Sequence, residues 1–286
     1  PPKINEKTAA RKESLFDLGS SGSTALNKCS NLALDIDPTP YGALGLLVHI
    51  AVPPGVYAVT ESVLCRTRAG VGITIEVIQD TPGVEKRATF IAIPSLGNEV
   101  LFHGKCSNLN MRYVTINGNK MNRDYNKLIW GYDINEWVYR RLCDAGAWRP
   151  ANMLITGFFI LLEFVESTEA PCGTALGISA VKVRIYKAKI SWSGFQAPKI
   201  VNGKEVPVWP NRQYQYSDLL TCEFCQEVVV EDSDLFEGTD ICIALGGGHG
   251  NVIRNNTILQ LLTRALAGIS KGRFGTVYYD PRTGLS

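Results

Sequence analysis

The chain has no long apolar run, almost no net charge and only a thin scatter of cysteine. Its longest apolar runs, such as Phe158-Phe159-Ile160-Leu161-Leu162, are strand-sized and fall well short of the roughly 18 uninterrupted apolar residues that would cross a bilayer. No membrane association is therefore expected. Twenty-nine Lys+Arg against 27 Asp+Glu leave a formal charge of +2, without the basic surplus that duplex or RNA binding requires, so no nucleic acid partner is expected. Eight cysteines (Cys29, Cys65, Cys106, Cys143, Cys172, Cys222, Cys225 and Cys242) are too dilute in 286 residues for a disulfide-stapled mini-domain; buried thiols are expected. Cys222-Glu223-Phe224-Cys225 has the spacing of half a zinc site or a redox pair. No second CxxC or close His pair completes a tetrahedral set, so no metal is assigned there. With 45% apolar and only 20% charged residues the chain is no disordered polymer. It starts at Pro1 without an initiator Met or a signal peptide, which suggests processing or trimming and leaves the compartment unread.

What is abundant points to strands and turns. The 27 glycines and many Val and Ile residues favour both. Five segments share one pattern, an apolar or small residue, another two later, a variable one two after that and an apolar one three further on. They begin at Leu109, Met153, Val183, Val228 and Asn251. Most of the gaps between these starts approach one or two multiples of about 22 residues, the length of one rung of a parallel β-solenoid. This period predicts about ten coils. Residues 1–23 form a charged leader and a Gly/Ser-rich turn, and residues 24–286 a single domain. Within it, Thr24–Asp35 places apolar residues at helical spacing, with Ser23 or Thr24 as a possible cap. A short helix there would cover the open end of the coil, which otherwise exposes apolar side chains and free strand edges.

The order Phe16-Asp17-Leu18-Gly19, Ser21-Gly22-Ser23, helix, apolar strand, Val52-Pro53-Pro54-Gly55-Val56-Tyr57-Ala58-Val59, then a rung reading Leu109-Asn110-Met111-Arg112-Tyr113-Val114-Thr115-Ile116-Asn117-Gly118-Asn119, resembles the pectin-lyase-like right-handed parallel β-helix superfamily. That superfamily includes polygalacturonases, pectate-lyase-like enzymes and phage tailspikes. The resemblance runs from about Phe16 to Ile269. It implies an all-β solenoid with an N-terminal capping helix, a polysaccharide as partner in a lateral groove, and an extracellular or virion-surface location.

Candidate groove strands begin near Thr174, Asp218, Asp240 and Arg264. One-rung spacing would stack Asp218, Asp240 and Arg264 about 5 Å apart along the axis. Inverting glycoside hydrolysis needs one protonated carboxyl and one ionised carboxylate, and like charges push their pKa values apart; Arg264 could instead clamp a substrate carboxylate. Asp218 and Asp240 could equally do no more than close turns. Glu237-Gly238-Thr239-Asp240 is similar to the paired-Asp motif of polygalacturonases, with Tyr216-Ser217-Asp218 standing where those enzymes carry their upstream Asp. The first Asp of the pair is replaced by Thr239, which cannot donate a proton at useful pH, and the family's His-Gly falls on Thr263-Arg264. His249, in Gly246-Gly247-Gly248-His249-Gly250, lies about half a rung early and is read as an acid, a base or a turn residue. His49 and His103, in or beside apolar strands, are read as structural.

No cofactor is expected for a hydrolase. A lyase alternative would use Asp232, Asp234 and Glu237 to gather Ca²⁺, with Lys271, Arg273 or Arg264 as base. Two stretches, 119–149 and 195–216, read as excursions from the coil. The second offers Trp209, Tyr214 and Tyr216 as sugar-stacking residues of a groove wall beside Asp218, with Thr239 a further substrate-binding candidate; both stretches could instead serve packing or assembly. The leading expectation is a polysaccharide-cleaving β-helix. The rival is a non-catalytic, trimeric β-helix of a virion or another assembly, and the chain's end at Leu285-Ser286 straight after a rung suggests that further chain or a partner covers the last coil.

Overall fold

The structure, a computed structural model, describes residues 22–35, 46–96, 100–122, 151–171, 173–194, 199–201, 204–206, 217–238, 241–259, 269–271 and 277–279. Short runs in which every second residue is apolar become strands because a pleated backbone sends alternate side chains to opposite sides. Along Val71–Val77, Ile73, Ile75 and Val77 are buried while Thr74 and Glu76 face outward. All strands of the two large sheets pair in parallel, so every strand must be followed by a crossover. The chain makes that crossover by winding on as a right-handed parallel β-helix.

Each coil presents three faces. Face 1 holds Val63–Arg66, Ser217–Glu223 and Ile243–Gly246; face 2 holds Leu46–Val52, Val71–Val77, Gln226–Glu231 and Asn251–Arg254. Three long strands, Phe102–Arg112, Met153–Glu163 and Gly173–Tyr186, run through both, joining them into one 12-stranded sheet. Face 3 is the 7-stranded sheet that runs from Gly55–Val59 to Thr257–Leu259. Bends between faces use left-handed backbone: Asn108, Phe159 and Lys182 between faces 1 and 2, and Tyr113, Phe164, Lys187, Asp232 and Asn255 between faces 2 and 3.

Register corrects the period read from the sequence. On face 2 one file runs through Glu76, Arg112, Glu163, Tyr186, Glu231 and Arg254. The step is 36 residues from Glu76 to Arg112, 51 from Arg112 to Glu163 and 23 from Glu231 to Arg254. The unembellished coil is thus 23 residues long, and face 2 is eight strands deep among the described residues. The matched segment at Met153 was also misphased. Met153 pairs with Phe102 on face 1, and the partner of both Leu109 and Val183 is Ile160. Val183 pairs directly with Val228, so the long interval between them is one enlarged coil, not two. That interval carries a small antiparallel pair, Lys199–Val201 with Lys204–Val206.

Inside the coil, like residues stack in files, Ile75 on Met111, Leu162, Ile185 and Val230 behind face 2, and Gly104, Ile155, Ile178 and Cys222 behind face 1. Six of the eight cysteines are buried free thiols, as expected; Cys143 and Cys172 lie outside the described residues.

The helix α1, Gly22–Asp35, starts two residues before the expected Thr24. Ser23 is not its cap. Its hydroxyl oxygen accepts the Thr60 N–H instead, 3.0 Å away, tying the helix to the coil. Leu26 and Cys29 bury one stripe of α1, and Asn27 and Ser30, three apart and so on one face, serve the free edge of Val63–Arg66. Asn27 accepts the Leu64 N–H at 2.6 Å and donates to the Ser62 carbonyl at 2.9 Å, while Ser30 accepts the Arg66 N–H at 3.1 Å. In this way α1 supplies the edge with the ladder bonds that a missing strand would have made.

Candidate functional site

Outward side chains of face 1 form two parallel files. One passes His103, Leu154, Gly177, Thr221 and Ala244; the other carries Lys105 and Thr156, with Ser179 and Glu223 at the same level in the following coils. Between them lies a cleft of about 170 Å³ lined by His103, Leu154, Thr156, Gly177, Ser179 and Glu223. Gly177 keeps its floor low: a Cβ there would meet Leu154 Cδ2 at 2.5 Å. The cleft crosses the strands of four coils, so it extends along the helix axis for about 15 Å. Burial pushes the Glu223 carboxyl up from its ordinary value of 4.5, because the charged form is the one that loses hydration. The site therefore offers a carboxyl inclined to hold its proton, two hydroxyls, an imidazole and an apolar floor.

The predicted residues fare unevenly. Asp218 is half-buried at the start of its strand, where its carboxylate accepts the Thr221 hydroxyl at 2.9 Å and the Ile241 N–H at 3.2 Å. That second bond fixes the register. The ladder pairs Leu220 with Ile243, so the residue one coil on from Asp218 is Ile241 and not residue 240. Thr239, Asp240, Arg264, Trp209, Tyr214 and Tyr216 lie outside the described residues. His249 is exposed in the bend from face 1 to face 2, its carbonyl accepting the Glu227 N–H at 2.9 Å. It is not among the cleft residues.

Asp232 and Asp234 are exposed, the first in the bend between faces 2 and 3, the second opening a face 3 strand, while Glu237 is buried. Strand alternation parts them, and no group of three His, Cys, Asp or Glu residues that could hold a metal occurs among the described residues. Of the proposed bases, Lys271 belongs to the face 1 strand Ile269–Lys271, and Arg273 lies outside the described residues. Cys222 and Cys225 remain thiols in the core, Cys225 donating to the Ile178 carbonyl at 3.2 Å. Sequence reading missed Glu223, hidden inside the CxxC spacing, and took His103 as structural. Both follow from alternation once the buried Cys222 and Gly104 are placed inward.

No family model and no curated protein matches the sequence. Solved structures do match in fold. An inferred glycosyl hydrolase from Parabacteroides merdae is 12% identical with a TM-score of 0.50, over 85% of this chain and 90% of that one. The Dettilon tailspike protein is 11% identical, TM-score 0.37, over 87% of this chain and 42% of that one. The A-module of an Azotobacter vinelandii mannuronan C-5 epimerase is 10% identical, TM-score 0.40, over 93% and 75%. Among the described residues no helix is long and apolar enough to cross a membrane.

Proposed function

Taking as premise that the chain has the pectin-lyase-like right-handed parallel β-helix fold, we propose that it binds a polysaccharide along face 1 and hydrolyses it with Glu223 as proton donor. The observation that carries this reading is the cleft itself, an axial trough with an apolar floor, hydroxyls from Thr156 and Ser179, and one carboxyl raised by burial above its ordinary value. A general acid must be protonated at working pH and stand where a leaving oxygen can reach it. The resemblance in fold to an inferred glycosyl hydrolase agrees with this. The second carboxylate of the reaction is proposed to be Asp218 or Asp240, of which Asp240 lies outside the described residues.

One observation favours a second reading. Glu223 is the single carboxylate among the described residues of the cleft, and hydrolysis needs two, so a binding protein without catalysis, of the particle-surface kind, is the alternative. Release of new reducing ends from a panel of polysaccharides, compared among wild type, Glu223→Gln, Asp218→Asn and Asp240→Asn, decides between them. Loss of cleavage in Glu223→Gln with binding retained supports hydrolysis. Binding without cleavage by the wild type supports the alternative, and unsaturated product ends would replace hydrolysis by elimination.

A further inference from the structure

We infer that Phe158, Phe159 and Phe224 form an apolar stacking rim along the face 1 to face 2 edge of this cleft, and that the polysaccharide they receive is uncharged. The inference rests on the cleft being a glycan groove. At the bend between faces 1 and 2, Asn108, Phe159, Lys182, Glu227 and Gly250 all take positive φ, between 50° and 71°. Only glycine, and to a lesser degree Asn or Asp, enters that region without a steric penalty. Nothing in the bend calls for a bulky apolar side chain, yet Phe159 stands there 57% exposed beside Phe158 at 53%.

The coil containing Ser217–Glu223 departs further. Cys222 pairs with Ile178 and Val228 with Val183, so its bend holds one residue more than the bend before it. The extra residue is Phe224, with φ of 53° and 77% exposure. One coil on, the same position is Gly247, φ 103°, followed by Gly248 at 84°. The fold accepts glycine where this chain sets a bare phenyl ring. Both rings stand exposed at turns that glycine or Asn would build with less strain, which fits side chains kept there for a ligand.

The chemistry of the surroundings names the ligand class. Phe159 and Phe224 lie two coils apart, about 10 Å, each directly following a cleft segment that carries Thr156 or Glu223. A pyranose has an apolar C–H face and a hydroxyl edge. Rings on the rim can cover the face while Thr156, Ser179 and Glu223 meet the edge. Charge selects further. Near the rim Lys182 sits over the Phe159 ring, 5.2 Å from its centroid, while Glu223 and Glu227 flank Phe224. The outward cations described on face 1, Arg66 and Lys105, belong to its first two strands. Among the described residues the rim sets Lys182 and Arg184 beside Phe159 against Glu223 and Glu227 beside Phe224, and such a balanced edge fits neutral sugars.

Affinity electrophoresis in gels containing hydroxyethyl cellulose, xylan, galactomannan or dextran, against gels containing alginate or polygalacturonate, tests this with wild type, Phe159→Asn and Phe224→Gly. Both substitutions put a residue suited to left-handed backbone at its site, so melting temperatures are expected at or above wild type. Retardation by at least one neutral polysaccharide is expected to weaken 10-fold or more. Wild-type retardation that both variants keep overturns the rim and leaves the groove standing. Retardation by the polyanions alone overturns the uncharged class and leaves the groove standing. A wild-type oligomer that the variants dissociate, with unchanged retardation, makes the rim an interface between copies and overturns the inference. No retardation in any gel overturns both the rim and the groove.

Discussion

Glu231 sits on the outward side of face 2 with its carboxylate only 5% exposed, between guanidinium groups from two other coils. Arg184 Nε donates to it at 2.7 Å, and Arg254 donates through Nε at 2.7 Å and Nη2 at 2.5 Å. Burial by itself would raise this carboxyl; the bonds from Arg254 and Arg184 outweigh it and hold the group below its ordinary 4.5. A carboxyl lowered in the folded state stabilises above the unfolded value and loses that contribution as pH falls through the folded one. Glu231→Gln is therefore expected to reduce stability by about 1–3 kcal/mol at pH 7. The deficit should shrink progressively below pH 4.5, as read by urea melts across that range. Glu223 behaves in the opposite way. Its carboxyl is raised by burial, so the protonated fraction persists above 4.5 and declines as pH climbs through the raised value. If it is the proton donor, cleavage should fall along that same limb, and Glu223→Gln should abolish the limb together with the activity. A rate that is flat over the limb would remove Glu223 from the acid role.

At the level of elements, the bends and the cap do the specifying. Gly248 is a strict case: a Cβ there would lie 1.4 Å from the Cys225 carbonyl oxygen, and its φ is 84°. Gly83, at φ 77° with open space around the missing Cβ, is the control. Gly248→Ala is expected to prevent soluble folding or lower the melting temperature by more than 10 °C, while Gly83→Ala costs about 1 kcal/mol, a few degrees at most. The α1 helix invites a second test. Asn27→Ala strips the edge of Val63–Arg66 of two hydrogen bonds; a loss of about 1–3 kcal/mol and concentration-dependent aggregation by light scattering are expected, because an unanswered edge recruits other strands. The helix, the parallel coil and the inward files were legible in the sequence, since apolar period and turn residues report them directly. Ser23 was misread because a hydroxyl just ahead of an apolar period looks like a cap whether it bonds its own helix or the neighbouring Thr60. Glu223 was overlooked because a CxxC spacing draws the eye to sulfur, although the buried Cys222 is what turns Glu223 outward. Met153 was misphased because face 1 and face 2 strands of one long segment carry the same alternation, and only pairing with Phe102 tells them apart.

For the whole molecule, coil length is the quantity that matters, because a solenoid is held by contacts between successive turns and tolerates removal of a complete one. Glu163 and Tyr186 are ladder partners on face 2, so residues 164–186 make up one full circuit. Removing those 23 residues joins Glu163 to Lys187 with every later strand still in phase. Removing 22, residues 164–185, shifts all following strands by one position and turns the interior files of Val230 and Ile253 toward solvent. The first deletion is expected to remain soluble with a β-sheet circular dichroism spectrum and one cooperative melt at reduced temperature; the second is expected to aggregate or unfold. Equal behaviour of the two would show that register does not govern this coil. The same pair of chains probes the groove, since residues 164–186 include Gly177 and Ser179 from the middle of the cleft. A folded 23-residue deletion brings the Phe159 and Phe224 bends one coil closer, about 5 Å, and leaves Glu223 in place. It should therefore lose affinity for long oligosaccharides more than for short ones, a length dependence that a site confined to Glu223 would not produce.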